Sequence, residues 1–143
     1  MTDVVTNVSF AFKWAVAEHD SADADAMLLA WRQRDVRVVV PCWFACELAN
    51  ALHQKVRSGT IRTVEATQYV RVVLELVTIL DPHPEIAVRG LEIAARLGQR
   101  ASYDAQYVAL AERLGCELWT ADRRFGHAAQ AAFPFVHWLG EPV

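Results

Sequence analysis

The sequence predicts an α/β protein: a single domain over residues 1–143, laid out as a three-layer α/β/α sandwich around a parallel sheet of about five strands. Two observations carry this. Short apolar and β-branched runs recur along the chain, each too brief for a helix and each bounded by a turn signal. Longer segments with helical spacing of apolar residues separate them. Strands that alternate with helices build parallel sheets covered on both faces, and such sheets take their ligands at the carboxyl ends of the strands.

Residues 4–8 form the first β-branched run and read as a strand. Residues 23–33 carry apolar side chains at 24, 27, 28 and 31, the spacing of a helix face. The run 37–40 is a short buried strand stopped by Pro41. A helix follows over 43–57 and ends at Ser58-Gly59. Another spans 63–77, with Thr63 as its expected cap and Glu65 in its first turn, where a carboxylate meets the positive end of the helix dipole. Residues 78–80 are a short strand before the Asp81-Pro82-His83-Pro84 turn. Helices over 85–97 and 102–114 stop at Gly98 and Gly115, a strand covers 116–120, a helix 122–131 and a last strand 135–138.

Composition narrows the function classes. With 143 residues, 54% hydrophobic and 22% charged, the chain is too apolar for a disordered segment. Its most apolar stretch, 70–80, is interrupted by Arg71 and Glu75, so no membrane span is expected. The Met-Thr-Asp start lacks a basic leader, and three cysteines do not make a disulfide framework; both point to the cytoplasm. Cys42 and Cys46 read as small buried hydrophobes, and the tryptophans as core or interface. A net charge of −3 provides no bulk attraction to nucleic acid, although twelve of the fourteen cations are arginines, whose forked guanidinium suits phosphate. No glycine-rich phosphate loop and no Gly-x-Ser-x-Gly nucleophile turn occurs.

Three acidic residues fall where a merely solvated charge would not. Asp104 shares a helix face with Tyr107, Val108 and Ala111 in a segment apolar nearly all round; it reads either as a site residue or as a plain first-turn carboxylate. Glu47 lies in the apolar turn Trp43-Phe44-Ala45-Cys46-Glu47-Leu48, and calls for a partner, Asn50 or Gln54 in the simplest reading. Asp122 follows the strand ending at Thr120 and is a natural N-cap. Taken together, all three can converge on one sheet edge, where mutual repulsion demands cations. Hard divalent ions suit carboxylate oxygens, and pairs of them hydrolyse phosphodiesters.

On four segments the chain resembles the PIN-domain family, in particular the VapC-type toxin ribonucleases. They are Val4 to Trp14, the run from Pro41 through Glu47-Leu48-Ala49-Asn50-Ala51-Leu52, the run from Ser102-Tyr103-Asp104-Ala105 to Gly115, and Thr120-Ala121-Asp122-Arg123-Arg124-Phe125. The resemblance implies a metal-dependent endoribonuclease, the toxin of a type II toxin–antitoxin pair, with Mg²⁺ or Mn²⁺ as cofactor, RNA as substrate, a cognate antitoxin as partner and a homodimeric state. It places Glu47, Asp104 and Asp122 as catalytic metal ligands, with Ser9, Thr120 and Asn50 in support. Arg123 and Arg124, just after Asp122, are candidate RNA contacts.

At the family's first acidic position this chain carries Asn7, which offers a carbonyl oxygen but no charge. Asp3 lies too far upstream to replace it. Four carboxylates balance two divalent ions, whereas three leave one positive charge over. A unit charge at ~4 Å is worth about 4 kcal/mol as a raw Coulomb term at an effective dielectric constant near 20. Even a fraction of that weakens metal binding tenfold. The alternative is therefore a catalytically silent PIN module that binds antitoxin or RNA without cutting.

Overall fold

A computed structural model of the chain describes residues 2–142. Five strands form one parallel sheet: β1 (Thr2–Thr6), β2 (Val36–Pro41), β3 (Thr78–Leu80), β4 (Glu117–Thr120) and β5 (Val136–Trp138), in the order β3-β2-β1-β4-β5. The chain steps outward from β1 to β2 and β3, then returns to lay β4 against the opposite edge of β1. That reversal opens a crevice between the carboxyl ends of β1 and β4, the place where open α/β sheets bind ligands.

Alternation along the strands supplies both layers with a core. Val4 and Val38, partners in register, pack with Phe10, Ala24 and Trp31 on one face, under helix α2 (Ser21–Gln33). Val5, Val39, Leu118 and Val136 face the other side and meet α3 (Phe44–Arg57), α5 (Glu85–Leu97) and α6 (Tyr103–Leu114). Two further helices, α4 (Thr63–Leu76) and α7 (Arg123–Gln130), complete the shell. Ala105, Tyr107, Val108, Ala109, Leu110 and Ala111 of α6 are all buried, as the apolar middle of its sequence requires.

Several boundaries differ from the sequence expectation, for identifiable reasons. The first strand stops at Thr6. Asn7 accepts the Phe10 N–H at 3.3 Å and caps a short helix α1 (Val8–Ala11), which a 3₁₀ turn continues over Phe12–Trp14. The β-branched Val8 is thus helical. Pro41 does not stop β2 but is its last residue, opposite Leu80, where the ladder ends and a missing N–H costs little. Thr63 is the first residue of α4 rather than its cap; Arg62 precedes it, and Glu65 accepts the Arg62 backbone N–H at 3.0 Å. Cys42 and Cys46 are exposed, not buried, because they fall on the solvent side of the turn into α3, whose inward face is Phe44, Leu48 and Leu52. Of the tryptophans, Trp31 and Trp138 are buried and Trp14, Trp43 and Trp119 half-buried.

Candidate functional site

The crevice at the β1/β4 reversal gathers residues from four parts of the chain. Asn7 follows β1 and caps α1, Thr120 ends β4, Asp122 caps α7, Asp104 lies in the first turn of α6 and Glu47 projects from the first turn of α3. Each position follows from local chemistry. Asp122 accepts the Phe125 N–H at 3.0 Å, so the N-cap reading of this residue holds, and that role fixes it at the crevice mouth. Asp104 lies in the first turn of a helix whose middle, from Ala105 to Ala111, is largely buried, and this sets its carboxylate at the crevice.

A hydrogen-bonded frame joins these residues. Asn7 Nδ2 donates to Thr120 Oγ1 at 2.9 Å and to Asp104 Oδ1 at 3.3 Å. Asn7 Oδ1 accepts the Ser9 hydroxyl at 2.8 Å as well as the Phe10 N–H. Ser9 and Thr120 share a bond of 3.1 Å; with the Ser9 proton directed at Asn7, the Thr120 hydroxyl is the donor. Ser9 Oγ also accepts from the Ala121 N–H, and Thr120 Oγ1 from the Asp122 N–H, each at 3.1 Å. The two acceptor bonds to Asn7 Oδ1 dictate the orientation of its amide. Its oxygen is therefore spent on α1 and Ser9, and its NH₂ group, not a carbonyl oxygen, faces Asp104.

Glu47 finds a partner that the sequence reading did not assign. Tyr107 donates its phenol proton to Glu47 Oε1 at 2.7 Å, while Asn50 only lines the same groove. The signal was available: a tyrosine in an otherwise apolar, buried helix needs somewhere to direct its hydroxyl. Asp3 pairs instead with Arg37, its register neighbour on β2, at 2.9 and 3.1 Å, and takes no part in the site.

The electrostatics are those of buried carboxylates, with neighbouring like charges adding to the effect. Burial pushes the Asp104 carboxyl above its usual range; the Asn7 hydrogen bond opposes this and the charge of Asp122 adds to it. Burial also raises Glu47, with the Tyr107 bond working against it and Asp104 reinforcing it. Tyr107 is pushed strongly upward by burial and by Glu47. None of the ion pairs among the described residues brings a lysine or arginine onto Glu47, Asp104 or Asp122.

Asp104 and Asp122 line one groove of about 650 Å³ together with Arg100, Tyr103 and Arg124; Arg123 is not part of that lining. Glu47 lies in an adjoining groove that shares Tyr103. Among the described residues no three His, Cys, Asp or Glu side chains close around a single point in the manner of a protein-enclosed metal. Hard carboxylate oxygens without a cationic partner nevertheless suit a hydrated Mg²⁺ or Mn²⁺, which is commonly held by one or two carboxylates and keeps several waters. Asp104 and Asp122 are such a pair.

Comparison with known proteins agrees with this architecture. The PIN-domain family profile matches residues 5–131. The chain is 33% identical over 100 residues to ribonuclease VapC9 of Mycobacterium tuberculosis, spanning 70% of this chain and 76% of that protein. The crystal structure of PAE2754 from Pyrobaculum aerophilum shares the fold with a TM-score of 0.65 at 24% identity, covering 89% of this chain and 79% of that one. VapBC2 from Rickettsia felis, crystallised bound to a DNA fragment from their promoter, gives 0.66 at 14% identity, over 96% of this chain and 97% of that one. No described helix is long and apolar enough to cross a membrane. With the fold, the sequence relatives and the family profile in accord, the chain belongs to the PIN-domain family, in its VapC branch.

Proposed function

We propose that the protein is a divalent-metal-dependent endoribonuclease and the toxin partner of a VapBC-like pair. The observation that carries this reading is that Glu47, Asp104 and Asp122 border adjoining grooves at the β1/β4 crevice, with no lysine or arginine paired to them among the described residues. Isolated carboxylates repel an RNA phosphate, so this site takes such a substrate only with a cation between them. Asp104 and Asp122 would hold Mg²⁺ or Mn²⁺, with Glu47 as a further acidic ligand; Asn7, expected as a neutral fourth ligand, turns its NH₂ group to Asp104 and so braces that carboxylate instead of ligating the ion. When bound, such an ion supplies an acidified water and countercharge for hydrolysis of a phosphodiester.

The chain's own residues do the positioning. Tyr107 holds Glu47 in one orientation, and Asn7, Ser9 and Thr120 form a rigid shelf against Asp104. Arg124, lining the groove of Asp104 and Asp122, neutralises substrate phosphates, with Arg123 as a second basic contact at its edge. A cognate antitoxin as the protein partner, a homodimeric state and a cytoplasmic setting complete the proposal by analogy with the VapC relatives.

Purified protein should cleave a mixed RNA substrate in Mn²⁺, and Asp104→Ala should abolish the cleavage. If the variant cuts as well as the parent, the site is elsewhere.

Asn7 favours a second reading, a silent PIN module that binds antitoxin or RNA without cutting. If neither protein cuts and Asn7→Asp gains activity, the silent module is the better description.

A further inference from the structure

The chain has only two lysines, Lys13 and Lys55, and both line one cavity of about 390 Å³ that also borders Ser9 and Asp122. Their charges meet different surroundings. Lys13 Nζ lies 2.9 Å from Asp20 and 3.3 Å from Glu18, so its charge is neutralised within the fold. Lys55 takes part in no ion pair among the described residues. Its ammonium lies 5.9 Å from the centroid of the buried Phe12 ring, a contact that fixes the side chain without cancelling its charge.

Glu47, Ala51 and Lys55 stand at i, i+4 and i+8 on α3 and so share a face. Ala51 borders both the Lys55 cavity and the groove of Glu47. Eight residues of helix separate the lysine from the carboxylate by about 12 Å at the backbone. Lys55 therefore serves a different point on a ligand from the carboxylates. On the far side of Asp122, the groove of Asp104 carries Arg100 and Arg124. Cation, carboxylates and cation thus follow one another along connected depressions. That alternation suits a polyanion whose reacting phosphate lies at the carboxylates and whose flanking phosphates meet the cations.

We infer that Lys55, braced on Phe12, is the anchor for an RNA phosphate neighbouring the scissile one. The inference rests on the ribonuclease reading above and names a subsite that it does not contain.

The test is the affinity of the intact protein for a short, labelled single-stranded oligoribonucleotide with a hydrolysis-resistant phosphorothioate backbone in Mn²⁺, over a range of salt. Lys55→Met keeps the aliphatic stem on Phe12 and removes the charge; Lys55→Arg keeps the charge. Loss of one phosphate contact should lower the slope of log affinity against log salt by about 0.7. Affinity at low salt should fall roughly three- to tenfold, one contact's share of the electrostatic attraction. Lys55→Arg should restore most of both, and melting curves should show all three proteins folded. Unchanged affinity and slope in Lys55→Met would overturn the anchor while leaving the nuclease reading intact; weaker antitoxin binding in the same variant would then assign the lysine to the protein partner. If the parent fails to retain the oligonucleotide in Mn²⁺, the RNA reading fails and the anchor with it.

Discussion

Asn7 and Asp104 lie 97 residues apart in sequence and are joined by a single hydrogen bond of 3.3 Å, the amide donating and the carboxylate accepting. The bond ties the end of β1 to the first turn of α6 and gives Asp104 a neutral partner where a second carboxylate would repel it.

Replacing Asn7 by Asp should therefore act in opposite directions with and without metal. Aspartate caps α1 as well as asparagine does, so the local helix is preserved. Without metal, loss of the donor and a new like charge should destabilise the protein by about 1–3 kcal/mol. With Mn²⁺, the added carboxylate should raise affinity tenfold or more, about 1.4 kcal/mol per decade. Melting temperatures in EDTA and across a Mn²⁺ titration check both. An equal Mn²⁺ response in the two proteins would show that position 7 does not feel the ion.

Asp104→Asn should stabilise the metal-free protein at neutral pH. Burial holds the folded-state carboxyl of Asp104 above its usual range. A raised carboxyl contributes stability below the ordinary carboxylate range and loses it as pH rises through the raised value. The variant lacks that loss. Its melting temperature should exceed that of the parent by about 3 °C near pH 7, the equivalent of ~1 kcal/mol, and the gap should close toward pH 4. A gap that does not change with pH would mean that the carboxylate is not under electrostatic pressure.

Tyr107→Phe removes the one side-chain proton donor that Glu47 has among the described residues. The cost should be about 1–2 kcal/mol, that of leaving a half-buried carboxylate without its partner. The bond opposes the upward push of burial on Glu47. Its loss should therefore raise that carboxyl further, making the variant's deficit larger at pH 7 than at pH 4. Urea denaturation at the two pH values measures this, and equal deficits would indicate lost packing alone.

Gly126→Ala should disturb the site through the fold. A methyl group there would approach Trp138 Cβ to 2.7 Å and Thr120 Cγ2 to 3.1 Å, and neither atom is the free end of a flexible chain. Alanine's advantage over glycine in a helix, about 1 kcal/mol, is offset by overpacking of ~1–3 kcal/mol. The variant should melt a few degrees lower and cleave more slowly, because Thr120 anchors the Asn7 amide. Gly90→Ala, whose methyl would meet only the mobile Gln106 side chain, should cost less in a parallel melt.

The sheet was legible in the sequence because each strand is a short apolar run between turn signals, and the helix ends because Gly98 and Gly115 take up the left-handed conformation, both at φ +66°. Glu47 and Asp104 stand out in the sequence because each interrupts an apolar context, and Asp122 because it follows the end of a strand. Pairwise relations across the fold were not. The sequence shows Tyr107 as one more residue on the Asp104 face, and only folding turns its hydroxyl toward Glu47 on another helix. Asn7 was read as the remnant of a carboxylate. Its service as the α1 cap became visible once the strand was seen to stop at Thr6, a boundary that the β-branched Val8 concealed. Cys42 and Cys46 were misplaced for a related reason: residue type predicts burial only when the face of the helix is known.

The path of the sheet also fixes an order of assembly. β1 can pair with β2 as soon as residues 36–41 are available, but its other edge waits for β4, more than seventy residues later. At ordinary rates of synthesis that interval is on the order of several seconds, during which β1, the central strand of the finished sheet, has one edge open. Asn7 and Thr120, 113 positions apart, meet only when it closes. A chain interrupted after α6 but before β4 thus has most of its helices and two of its three acids, yet has no crevice to put them in. The juxtaposition of these acids is among the last things the growing polypeptide can acquire.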